Sequence, residues 1–143
     1  MKTFAKLNGM AFLYGFVMFI QTELGVNVYR LVRVMHGYSF AMNNLIVFMI
    51  FLISTGLFCY LTAKQFSTGM LRFILTVLWI PYYAFLVWVF PYFLPEPQPG
   101  DDPMAAVGLI LILLLLIYPF YIGFINAIGS VIHSLHDRSA KHV

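Results

Sequence analysis

The stretch from Met104 to His136, MAAVGLILILLLLIYPFYIGFINAIGSVIHSLH, contains no Asp, Glu, Lys or Arg. Its first part, Val107 to Ile117, is almost entirely Leu and Ile. About 20 apolar residues cross a hydrocarbon core roughly 30 Å thick, and this run is longer. A helix in water needs a polar face, and none occurs here before Asn126. The stretch therefore reads as a transmembrane helix, and the rest of the chain must be compatible with one.

Composition agrees. Of the 143 residues, 62% are hydrophobic and 9% charged, whereas a soluble domain carries about 25% charged residues. A domain this small has too little interior to hide so much apolar surface from water. The bilayer must be its solvent. No basic patch interleaved with aromatics occurs in a polar segment, so nucleic acid is not an expected partner. Cys59 is the lone cysteine and cannot form an internal disulfide. It reads as a small apolar side chain.

Three further spans can be placed. Lys2 and Lys6 precede the apolar run Met10 to Ile20, in the manner of a secretory signal, but no small-x-small cleavage site follows. An uncleaved first span over about 8–31 is the better reading. A second covers about 41–63, its core Leu45 to Ala63 lying between the asparagines Asn43 and Asn44 and the polar pair Lys64 and Gln65. The third covers about 72–94, with Trp88 and Tyr92 near its far end, as in an interfacial aromatic belt. The fourth covers about 104–133. Residues 95–103, PEPQPGDDP, carry four prolines and three acids. Proline removes backbone donors, so a short, stiff, water-exposed acidic turn is expected there.

Basic residues set the orientation. With four spans, Lys2, Lys6, Lys64, Arg72, Arg138 and Lys141 fall on one side, against Arg30 and Arg33 on the other. Six against two places both termini in the cytoplasm and the acidic turn outside. Without the first span the split would be four against four. The expected fold is an all-α membrane protein, a single domain formed by a bundle of four transmembrane helices. Its short loops imply that consecutive helices pack antiparallel.

Candidate chemistry is sparse. If the first span centres near Phe19, Glu23 lies about 6 Å from the middle at 1.5 Å per residue. A carboxylate there costs on the order of 2.5 kcal/mol or more and needs a partner or a wet cavity. Asn27 and Arg30 follow on the same helical face, and Asn43 or Asn44 begins the second span at similar depth. A polar cluster of these residues would be a binding site, an interhelical clamp, or a group at the interface. Pro81 and Pro119 lie near the middle of the third and fourth spans. Each frees the carbonyl four residues earlier. The kinks, with Tyr82, Tyr83, Tyr118 and Tyr121, form a second candidate pocket. Gly123, Ala127 and Ser130, at i, i+4 and i+7, form a small-residue stripe beside Asn126 that suits close helix contact.

His133 and His136 are three apart, but two ligands are too few for a structural zinc site. No metal and no cofactor are expected. There is no GxSxG, HExxH or P-loop motif, so an enzyme is not expected either. The leading expectation is a multi-pass protein of the cell membrane that acts as a non-enzymatic accessory, regulatory or immunity-like protective partner. Its partners are the lipid bilayer and another membrane protein, or a second copy of itself. The alternative is a small oligomeric transporter or channel using Glu23 and the Pro81 and Pro119 kinks.

Overall fold

A computed structural model describes residues 2–65, 71–93 and 105–140, with side chains over 4–64, 73–93 and 106–132. The acidic turn at 95–103, the side chains of His133 and His136, and residues 141–143 lie outside that description. Every regular element among the described residues is helical. Helix α1 is Lys2–Val26, α2 is the short Val28–Val34, α3 is Phe40–Gln65, α4 is Leu71–Val89 and α5 is Ala105–Ala140. A single 3-10 turn, Phe90–Phe93, extends α4. Four segments are long and apolar enough to cross a bilayer: Phe4–Val26, Phe40–Lys64, Phe73–Phe93 and Ala106–Ile132. An even number of spans brings both ends of the chain to one side of the membrane.

The breaks between helices have local causes. Asn27 takes a non-helical conformation (φ −93°, ψ 13°) at the junction of α1 and α2. Its side chain folds back, donating from Nδ2 to the Glu23 carbonyl at 3.1 Å. Such local bonds compete with helix propagation. The first span thus begins before residue 8 and ends before 31, in place of the single helix expected over 8–31. Gly37 ends the excursion with φ +83°, a conformation that costs glycine nothing. Ser39 then caps α3, its hydroxyl accepting from the Met42 amide at 3.2 Å.

The helices form a ring in the order α1, α4, α5, α3. Consecutive helices α3 and α4 are therefore not neighbours. They sit across the diagonal of the ring, an order that short loops leave open. Residues 66–70 can reach roughly 16–18 Å when extended, enough for the ~14 Å diagonal of a bundle with ~10 Å axis spacing. Ring order is thus set by which faces fit.

The α1–α4 seam shows that fit. Asn8, Gly15 and Thr22 recur every seven residues and share one face of α1. The Tyr82 hydroxyl donates to Asn8 Oδ1 at 2.6 Å. The Tyr83 hydroxyl points at Thr22 Oγ1 from 3.4 Å. Between them, a Cβ on Gly15 would stand 2.9 Å from the Trp79 carbonyl oxygen and 3.0 Å from the Tyr83 nitrogen. Only glycine permits that approach. Lipid offers no hydrophobic drive between helices, so such contact and interhelical hydrogen bonds hold the bundle.

The opposite seam repeats the device. On α5, Ile122, Ile125, Asn126 and Gly129 are buried. A Cβ on Gly129 would stand 2.8 Å from Thr62 Cγ2 of α3. The bundle centre is aromatic. Tyr14 of α1 packs on Phe58 of α3, with ring centroids 4.1 Å apart. Tyr118 of α5 stands edge-on to Trp79 of α4 at 4.8 Å and donates to the Tyr14 carbonyl at 2.8 Å. Pro81 and Pro119 both lie inside continuous helices.

Candidate functional site

At the end of the bundle away from the termini, Glu23, Asn27 and Arg30 border one cavity of about 230 Å³. Its other walls are Phe19, Ile20, Leu24 and Leu31, with Phe90 from the turn after α4. The Phe19 and Phe90 rings meet edge-on at 5.1 Å. The Glu23 carboxylate is held by Asn27, whose Nδ2 donates to Oε2 at 2.8 Å. Arg30 is only 9% exposed, and its Nη2 is buried with no hydrogen-bond partner among the described residues.

Two expectations change here. The span Phe4–Val26 centres on Gly15, so Glu23 lies about 12 Å from the middle, twice the expected depth offset. It sits close to the edge of the hydrocarbon, where a carboxylate costs less. The asparagines of α3 do not join Glu23. Asn43 is buried and accepts from the Tyr38 hydroxyl at 2.9 Å, while Asn44 is exposed.

A second cavity, about 180 Å³, lies between α1, α3 and α5. Tyr118 and Tyr121 line it with Val17, Met18, Gln21, Phe51, Ser54, Leu114 and Ile117. Tyr121 stacks on Tyr118 at 5.5 Å and shares a 2.7 Å hydrogen bond with Thr55. Gln21 Nε2 is buried there without a partner. Tyr82 and Tyr83, the other half of the expected tyrosine ring, face α1 instead, through Asn8 and Thr22. The four tyrosines therefore do not enclose one site.

On α5 the small-residue stripe is turned outward. A Cβ on Gly123 would meet nothing within 4 Å, and Ala127 and Ser130 are exposed. At 100° per residue the stripe lies roughly 115° round the helix from the buried Ile122–Ile125–Asn126–Gly129 face. Exposed Phe120 and Phe124 wall its far side. Asn126, taken with the stripe in the sequence, belongs to the inner face and is 1% exposed.

No protein-family model, curated protein or solved structure matches the chain. Function must therefore be argued from these residues alone. Among the described residues, no three His, Cys, Asp or Glu side chains cluster as a metal site would require.

Sequence reasoning missed Gly15, Gly129, Gln21 and Thr62. The first two had a legible signal. In a bilayer, polar side chains mark the inward face. Asn8 and Thr22 bracket Gly15 at seven-residue intervals, and Asn126 stands three before Gly129. Thr62 is fully buried beside Tyr14, and neither hydroxyl makes a hydrogen bond of good geometry. As polar residues of a span, Thr62 and Gln21 carried the same cue.

Proposed function

We propose that this is a non-enzymatic accessory, regulatory or protective partner of another membrane protein. It works in the cell membrane with both termini cytoplasmic, and docks through the outer side of α5. One observation carries the reading. The needs of the bundle on α5 are met by Ile122, Ile125, Asn126 and Gly129, and a different face keeps a trough of small residues open. Gly123 has empty space where a side chain would stand, Ala127 and Ser130 are exposed, and Phe120 and Phe124 rise beside them. Small residues at that spacing let a second helix approach closely enough for backbone-level van der Waals contact.

The transport reading draws less support. Glu23 borders one cavity and Tyr118 and Tyr121 another, on different faces of α1. A transport path would have to join them.

Gentle detergent extraction of the full chain from its native membrane tests the proposal. A stoichiometric second membrane protein is expected, released by Gly123→Leu or Ala127→Leu with the bundle intact. A homo-oligomer dissociated by the same variants identifies the partner as a second copy. A protein that stays monomeric and companionless refutes the docking role. Glu23→Gln then becomes the next variant, with ion flux in proteoliposomes as the readout.

A further inference from the structure

At the end of the bundle that carries the N-terminus, an open groove of about 420 Å³ runs between α1 and α3. Ala5, Lys6, Gly9, Met10 and Leu13 line it from α1, and Leu61 from α3. The groove exists because α1 presents little bulk here. Ala5 and Gly9, four apart, lie one above the other on the helix, and a Cβ on Gly9 would meet nothing within 4 Å. The floor is apolar, formed by buried Met10 and half-buried Leu13 and Leu61. Lys6 is exposed and lies two residues inside Phe4, where the first span begins. Helical side chains lean toward the N-terminus of their helix, and a lysine keeps its stem on apolar surface while the ammonium seeks water. The Lys6 charge therefore stands at headgroup level. Leu13 lies seven residues on, about 10 Å deeper at 1.5 Å per residue. A second cation, Lys64, ends the span in α3 at the same end of the bundle, turned onto the Tyr60 hydroxyl at 3.2 Å. A cation at the interface, with apolar walls running inward from it, matches the order of a lipid, phosphate first and acyl chain below.

We propose that this groove holds one anionic phospholipid of the adjoining leaflet, its phosphate at the Lys6 ammonium and an acyl chain along Gly9, Leu13 and Leu61. Basic pockets between transmembrane helices select anionic headgroups. Lysine meets a phosphate as a point charge on a flexible stem, so it can follow a headgroup without a rigid cradle. Lys64 adds to the positive field at that end. The groove lies on α1 and α3, away from the α5 trough, and does not depend on the docking role.

The test uses the full chain in maltoside micelles, with native mass spectrometry following the addition of lipid. The probes are phosphatidylglycerol (anionic), phosphatidylcholine (a phosphate but no net charge), diacylglycerol (no phosphate) and inorganic phosphate (no chain). One phosphatidylglycerol per chain is expected, held about fivefold or more tightly than phosphatidylcholine, the scale of one juxtamembrane lysine. The preference should shrink at high salt. Lys6→Met removes it, and Lys6→Arg keeps it. Gly9→Leu fills the groove with Lys6 in place and abolishes the one-per-chain binding. Gly9 faces open space, so this variant keeps the thermal midpoint of the lipid-free protein, and its loss of lipid is not a loss of fold. Arg33→Met, at the other end of the bundle, leaves the binding unchanged. Equal binding of phosphatidylcholine, diacylglycerol or inorganic phosphate overturns the proposal, as does retention of lipid by Gly9→Leu or an equal loss in Arg33→Met.

Discussion

Helices α1 and α5 invert the soluble-protein rule. The span in α1 has the lowest mean hydropathy of the four, 1.4, yet 39% of its apolar stretch is buried inside the protein. The span in α5 has the highest, 2.5, and only 17% is buried. The Leu-rich run that identifies the chain as a membrane protein is largely its lipid-facing coat. Leu109, Ile112, Leu113 and Leu116 are all more than half exposed. Helix α1 meets α4 along Asn8, Gly15 and Thr22 and packs on α3 through Tyr14. Hydrocarbon tails are as apolar as leucine, so burying leucine gains little from leaving lipid. Polar and small side chains gain most from burial, through hydrogen bonds and close backbone approach.

The largest expected effect tests the α1 side of that contrast. Gly15→Leu must thrust a side chain against the Trp79 carbonyl and the Tyr83 amide, which are backbone and cannot yield. A loss of about 3 kcal/mol or more is expected, read as a collapse of folded protein in denaturant titrations in micelles. Gly129→Leu should cost less, about 2 kcal/mol. Its nearest obstacle is the Thr62 side chain, so adding Thr62→Ala should restore part of the loss. An equal cost with and without that second change would mean that Ala63 backbone sets the limit.

Smaller effects sharpen the comparison. Tyr118→Phe deletes the bond to the Tyr14 carbonyl. Membrane hydrogen bonds average ~0.6 kcal/mol, and a shift of that order in the same titration is expected. At the bottom of the scale stand Leu113→Ala and Gly123→Leu on the outer side of α5. Each should change bundle stability by less than ~0.5 kcal/mol. A cost above ~2 kcal/mol for Leu113→Ala would mean that α5 packs inward through its leucines, and would undo the inversion drawn here. Gly123→Leu separates two properties, since it should spare the bundle and release the docked partner.

Glu23, Asn27 and Arg30, spaced i, i+4 and i+7, border one cavity despite the short break at Asn27. The span runs Phe4–Val26 in place of 8–31, which moves its middle from Phe19 to Gly15 and Glu23 toward its end. The expectation of Asn43 or Asn44 as a fourth member rested on depth alone. The structure pairs Asn43 with Tyr38 instead, a residue in the turn that the pattern did not address.

The amino-acid sequence by itself determined that this chain lives in a bilayer, that four helices cross it, and that both termini share a side. Each of those follows from run length, charge-free stretches and helix rise, which are properties of one segment at a time. Tertiary structure alone decided the ring order, the diagonal placement of α3 and α4, and which glycine meets a neighbour. It also decided that Arg30 Nη2 is buried with no hydrogen-bond partner among the described residues. These depend on which helix faces meet across the bundle, and apolar periodicity is silent on that where every face is apolar and lipid competes equally for each of them.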